Sequence, residues 1–317
     1  MSRVTDVLVA VDTETILRKY PNATNPNNPL LIDWHHIYMI TDQDNVISGQ
    51  AGGELNLKAK VGDLVRWRES SVSLGFEKRV IFYKFIANQG GELITTPTPR
   101  LAETSLPAAR AASRGGAVSH AREQPRWSRR FRYEDVMAEP NQPADEPARC
   151  SDVLVIADVA TLLDAYPDAS LDLDAPTPVD GKYLYVMYGG IEQALGRNDS
   201  RIVAPLSPGD ALHLRESALS LYGEKRVLFY RMTPADMGVV GPIELQMRES
   251  TVVVPNPDDP TQPGAQDLTE HFWRVPLAAA GSTDCEADFM IADRTCAPLA
   301  YFTWQVRIEV LGDTSPA

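Results

Sequence analysis

One line of this chain is written twice. RESSVSLGFEKRVIFYKF begins at Arg68, and RESALSLYGEKRVLFYRM begins at Arg215. From Gly62 to Phe85, 13 of 24 positions match Gly209 to Met232. The likeness extends upstream. Asp6-Val7-Leu8-Val9 returns as Asp152-Val153-Leu154-Val155, and Tyr20-Pro21-Asn22-Ala23 as Tyr166-Pro167-Asp168-Ala169. The offset changes from 146 to 147 between Ala23 and Tyr38, so one residue is gained there. A period this long is no solenoid repeat; it is a duplicated domain, and whatever fold is assigned must occur twice.

The copies are not equally complete. The first runs over residues 1–99 and the second over 151–312. Between them, residues 100–150 form an Arg/Ala-rich segment and linker. From Arg100 to Arg132 this segment holds eight Arg, no Lys and two Glu, and it keeps no sustained period of 2 or 3.6. It reads as partly disordered. Its Ala/Arg/Ser bias also fits translation of a GC-rich gene in a shifted frame, in which case an alternative frame restores strands; an ordinary Arg-rich linker fits equally.

In both copies an alternating Val/Leu run opens the domain, as in Asp6–Val11. It predicts a strand. Asp12 or Asp158 then caps a short apolar-faced segment, Ile16-Leu17 or Leu162-Leu163, that stops at Tyr-Pro. That predicts a short helix. Gly62-Asp63 and Gly209-Asp210 are turn chemistry before the next strand. Within that strand Val65 and Trp67 alternate with Arg66 and Arg68, so period 2 predicts the Trp face inward and the Arg face outward. Arg79–Phe85 and Arg226–Met232 are nearly continuously apolar and predict central strands. ELQMRESTVVVP, HFWRVPL, ADFMIAD and YFTWQVRIEVL give further strands in the second copy only. Short strands separated by Gly, Pro, Asn and Asp, without a βαβ rhythm, predict an all-β chain. Its form is two tandem antiparallel β-sandwich, jelly-roll-like domains, each with a short helix after the first strand.

A formal net charge of −13 disfavours nucleic acid as a partner. No run of about 18 apolar residues suggests a membrane span. The N-terminal MSRVTDVLVAV does not read as a secretory leader. Three cysteines, Cys150, Cys285 and Cys296, with no CxxC pair, fit reduced thiols and a cytoplasmic setting; Cys285 and Cys296, close together in a predicted hairpin, pair only if the chain is exported. No histidine spacing suggests a metal, and no phosphate or dinucleotide loop suggests a cofactor.

The chemistry-bearing candidates are the doubled charges. Glu69 with Glu77, or Glu216 with Glu224, beside Arg68, Arg79, Arg215 and Arg226, are the material of an acid/base pair. The same residues at the ends of adjacent strands are also the material of cross-strand pairing that fixes register. Arg68, Glu69, Arg215 and Glu216 are therefore candidate binding residues. Trp273 and Trp304 join them, because an exposed indole stacks on a sugar; Trp67, replaced by Leu214 in the second copy, reads as core.

Taken together, DVLVAVDTETILRKYP, the Gly-Asp turn leading to RES, EKRVIFYKF and the closing YFTWQVRIEV resemble the AidA/PixA inclusion-body protein family. The second copy carries the whole pattern; the first carries it to about Thr98 and lacks the closing strand. The resemblance implies a bacterial, β-rich, non-enzymatic protein, often under quorum-sensing control, that self-associates or accumulates. It carries over no catalytic residue. A small-ligand or glycan-binding module and an enzyme built on the glutamates stand as alternatives.

Overall fold

The computed structural model describes residues 3–22, 25, 28–73, 78–87, 91–98, 149–189, 196–197, 200–204, 206–220, 224–256, 258–259 and 262–312. The first copy contributes β1 (Val4–Val11), α1 (Thr13–Lys19), β2 (Ile37–Thr41), β3 (Val46–Ser48), β4 (Asn56–Leu57) and β5 (Leu64–Ser71). The second opens in the same way, with β6 (Cys150–Ala157), α2 (Val159–Ala165), β7 (Thr177–Val179), β8 (Leu184–Tyr188), β9 (Gly196–Arg197), β10 (Arg201–Ala204) and β11 (Ala211–Ala218). It continues through β12 (Lys225–Pro234), β13 (Glu244–Val254), β14 (Gly264–Pro276), β15 (Gly281–Asp293) and β16 (Pro298–Val310). The chain is all-β with a short helix after the first strand of each copy.

Both helices are set by the same cap. Asp12 accepts a hydrogen bond from the Thr15 backbone N–H at 3.0 Å, and Asp158 from that of Thr161 at 3.2 Å. Tyr20 and Tyr166 close them immediately before proline. The Gly-Asp turn is also built twice. Gly62 and Gly209 have φ of +93° and +98°, where a Cβ is strained. Asp63 then accepts from the Arg3 and Lys60 N–H groups, and Asp210 from those of Arg149 and Ser207. Each aspartate thereby ties the start of its strand to the start of the domain.

That tie explains a departure from the antiparallel expectation. β1 pairs with β5, and β6 with β11, in parallel over eight residues each. Parallel neighbours need a long crossover, and the helix and loops between them supply it. The β2-β1-β5 sheet of the first copy thus repeats the β8-β6-β11 centre of the second copy's larger sheet, ordered β13-β14-β11-β6-β8-β9. Facing it is the sheet β10-β16-β15-β12, with β7 also laid along β16. The β15–β16 and β13–β14 hairpins are antiparallel throughout. Between the two layers lies the sandwich core, which includes Val153, Val155, Leu212, Leu214, Phe229, Phe289, Phe302 and Trp304.

Two strand expectations need correction. Lys225–Pro234 is a strand but stands at the edge of its sheet rather than its centre. Its apolar run reflects burial of successive residues, Val227 to Phe229, on both faces. In the first copy, Arg79–Phe85 belongs to no ladder. β12 takes its ladder from β15, and the described residues of the first copy offer no such partner. The Arg-rich segment proposed as disordered or frame-shifted, residues 100–148, lies outside the described residues.

Candidate functional site: the seam between the copies

The doubled Arg-Glu-Ser line sits where the copies meet. The outer faces of the two equivalent sheets pack on one another. Leu8, Ala10, Tyr38, Ile40, Ala51 and Val72 of the first copy form one cluster with Leu154, Ile156, Tyr185, Met187 and Leu219 of the second, all at 5% exposure or less. Full burial of one such aliphatic side chain is worth about 1.5–3 kcal/mol, so this layer is a core in its own right. Gln50 donates across it to the Tyr185 hydroxyl at 3.0 Å.

The two arginines complete the layer reciprocally. Arg68 donates to the Ala218 carbonyl at 2.7 Å and to the Ser217 hydroxyl at 3.3 Å. Arg215 donates to the Ser71 carbonyl at 2.6 Å and the Ser73 carbonyl at 3.2 Å. Ser71 and Ala218 occupy equivalent positions. The seam is therefore isologous, like the interface of a two-fold dimer, although one chain makes both halves. Burial, offset in part by Glu69, lowers the pKa of Arg68 to about 10. Burial likewise lowers Arg215, against the pull of Glu270. Both stay charged at neutral pH.

The glutamates point elsewhere. Glu216 lies on the core-facing side of β11, buried to 2% of its side chain, with His271 Nε2 at 2.5 Å from Oε1. This pair continues the β11–β14 register that matches Leu214 to Trp273. Burial pulls the His271 pKa down, but the bond and the charge of Glu216 outweigh it, and the pKa is raised. Burial raises the Glu69 pKa. Glu224 is 60% exposed, 3.8 Å from Arg66, which is itself held by Asp6. Glu77 lies outside the described residues. Arg79 crosses the seam to Glu270 at 2.8 Å.

The structure thus separates the residues singled out in sequence. Arg68 and Arg215 come together; Glu69 and Glu216 take the other face. Trp273 and Trp304 are 7% and 1% exposed, within the sandwich core, so neither offers a ring face to a sugar. The Trp304 indole N–H instead donates to the Ser200 hydroxyl at 2.9 Å. Trp67 reverses its expectation: it is 38% exposed, and the Arg face of β5 is the covered one. A charged residue reads as solvent-facing when the carbonyls it will bind belong to a distant part of the chain. The residues missed in sequence, Ser71 and Ser73 in the seam and His271 beside Glu216, carried no motif. One signal was available: Arg-Glu-Ser is retained in both copies while its neighbours change.

Among the described residues, no three His, Cys, Asp or Glu side chains converge as a metal site requires. Cys285 is buried and its thiol pKa is pushed up to about 12 by burial, while Cys150 and Cys296 are exposed; no disulfide joins any of the three. A surface concavity beside β10 and β16 is lined by Arg201, Arg307 and Glu309, and its charges are already paired, Arg201 with Glu309 and Arg307 with Asp284. No helix among the described residues is long and apolar enough to cross a membrane.

Fold and seam define a class: a β-sandwich whose opening sheet occurs twice in the chain, the two occurrences joined face to face. The sequence model described as PixA, inclusion body protein, matches residues 3–121 and 149–310, so both copies are covered. The chain belongs to the PixA inclusion body protein family. Among solved structures it is similar to the crystal structure of an inclusion body protein (PixA) from Burkholderia cenocepacia J2315. Identity is 18% over 53% of this chain and 99% of that one, with a TM-score of 0.44. No curated protein matches the chain.

Proposed function

We propose that the protein is non-enzymatic and acts in the cytoplasm by self-association and accumulation. The observation that carries this reading is where the doubled motif is used. Arg68 and Arg215, the cations an active site would employ, are bound to backbone carbonyls of the opposite copy. Glu216 is closed in with His271. Membership of an inclusion body family supports the same reading. Control of its synthesis by cell density belongs with it as a proposal.

Light scattering of the purified chain across a wide concentration range, with microscopy of stationary-phase source cells, tests the reading. Concentration-dependent assembly and intracellular inclusions are expected. A strict monomer at every concentration, with no inclusions, overturns it.

A further inference from the structure

A sheet edge offers a row of backbone donors and acceptors to any strand that can reach it. Proteins therefore keep edges short, bulged, covered, or marked with Lys and Pro. Most sheet edges among the described residues follow that rule. β9 has two residues, β7 three and β10 four. β12 carries Lys225 and Pro234 at its ends and a register shift between Phe229 and Arg231. β2 is covered where Met39 donates to the Gly52 carbonyl and accepts from the Ala51 N–H.

Two edges break the rule. β13 is terminal in its sheet, eleven residues long and in unbroken register with β14, with no Lys or Pro. β5 is terminal in the sheet of the first copy, eight residues long and in unbroken register with β1, again with no Lys or Pro.

The second copy shows what β5 requires. Its equivalent, β11, is laddered on the far side by β14, antiparallel, with Val275 opposite Leu212 and Trp273 opposite Leu214. Ala211 and Leu214 are at 0% exposure there, whereas Leu64 and Trp67 at the same positions of β5 are 53% and 38% exposed. The missing neighbour is an antiparallel strand with apolar residues at alternate positions. β13 has that pattern. Leu245 stands opposite Trp273 and shares its core-facing side, and Met247, two residues on, is 41% exposed. Laid antiparallel on β5, β13 brings Leu245 opposite Trp67 and Met247 opposite Val65, so the apolar face runs on across the contact. Two β5 edges related by a two-fold axis fit poorly by comparison. Each register centred on the strand sets Arg66 or Arg68 against another arginine, and like charges directly opposite are destabilising.

We propose that the β13 edge of one chain pairs with the β5 edge of a second copy of this chain, head to tail. The contact rests on the self-association reading above and supplies its geometry. Because the two edges are unlike, each added chain presents a fresh edge, and assembly continues instead of closing at a dimer.

Light scattering of the full chain tests this with Trp67→Lys, which places a charge in the β5 edge, and Met247→Lys, which places one in the β13 edge. Both positions are exposed, so the fold tolerates the changes. Each variant alone should stay monomeric where the wild type grows. Mixed in equal amounts, they should form a species of twice the monomer mass and nothing larger, since one sound β5 edge then meets one sound β13 edge. Such a dimer also shows that both variants are folded. A mixture that stays monomeric while the wild type assembles, or either variant assembling as the wild type does, overturns the proposal and leaves self-association standing. A wild type that never assembles overturns both.

Discussion

At the scale of the residue, the informative side chains are arginines that look solvent-facing in sequence and are not. Arg68 and Arg215 each bring a charge to carbonyl oxygens already withdrawn from water. Hydrogen bonds to charged groups contribute about 1.5–3 kcal/mol, and deletion also strands the acceptor. Arg215→Ala should therefore lower stability by about 2–3 kcal/mol in urea unfolding, and Arg68→Ala by a similar amount; a change under ~0.5 kcal/mol would mean the carbonyls find other donors. The two losses should not add, since both substitutions open one interface. His271 gives a pH signature of its own. Its folded pKa is raised, so the stability it gains from Glu216 is present below about 6.5 and lost as pH rises through the folded value. Glu216→Gln should abolish that decline above pH 6.5 in thermal melts; an unchanged slope would place its origin elsewhere.

Elements are where most of the fold was legible. The strands β13 to β16, the helix after each first strand and the Gly-Asp turns follow from periodicity and cap chemistry, which are local. What periodicity could not show is which face of a strand is covered twice. β11 buries Leu214 in the sandwich and Arg215 in the seam, so neither face is solvent, and the same alternation in β5 placed Trp67 on the wrong side. Nor does local pattern reveal a missing partner: Arg79–Phe85 has the sequence of β12 without a described strand to pair with. The parallel β6–β11 pairing was equally hidden, because it depends on Asp210 reaching back to Arg149. Gly209→Ala, forced to a φ of +98°, should cost about 1–3 kcal/mol and leave strand content by circular dichroism unchanged. A neutral result would mean the turn relaxes.

For the whole molecule, duplication gives a single chain an interior built like the interface of a two-fold dimer. The shared layer from Leu8 to Leu219 is as dry as the sandwich core, and its polar closure is reciprocal. Sequence disclosed the duplication outright, but not that the repeated line is the part each copy presents to the other. Two bodies joined by such a layer should lose structure together. Scanning calorimetry of the full chain tests this most directly. One cooperative transition is expected for the wild type, resolving into two when Arg68 and Arg215 are both replaced by alanine. Two separate transitions in the wild type, unmoved by the double substitution, would contradict the account of the seam.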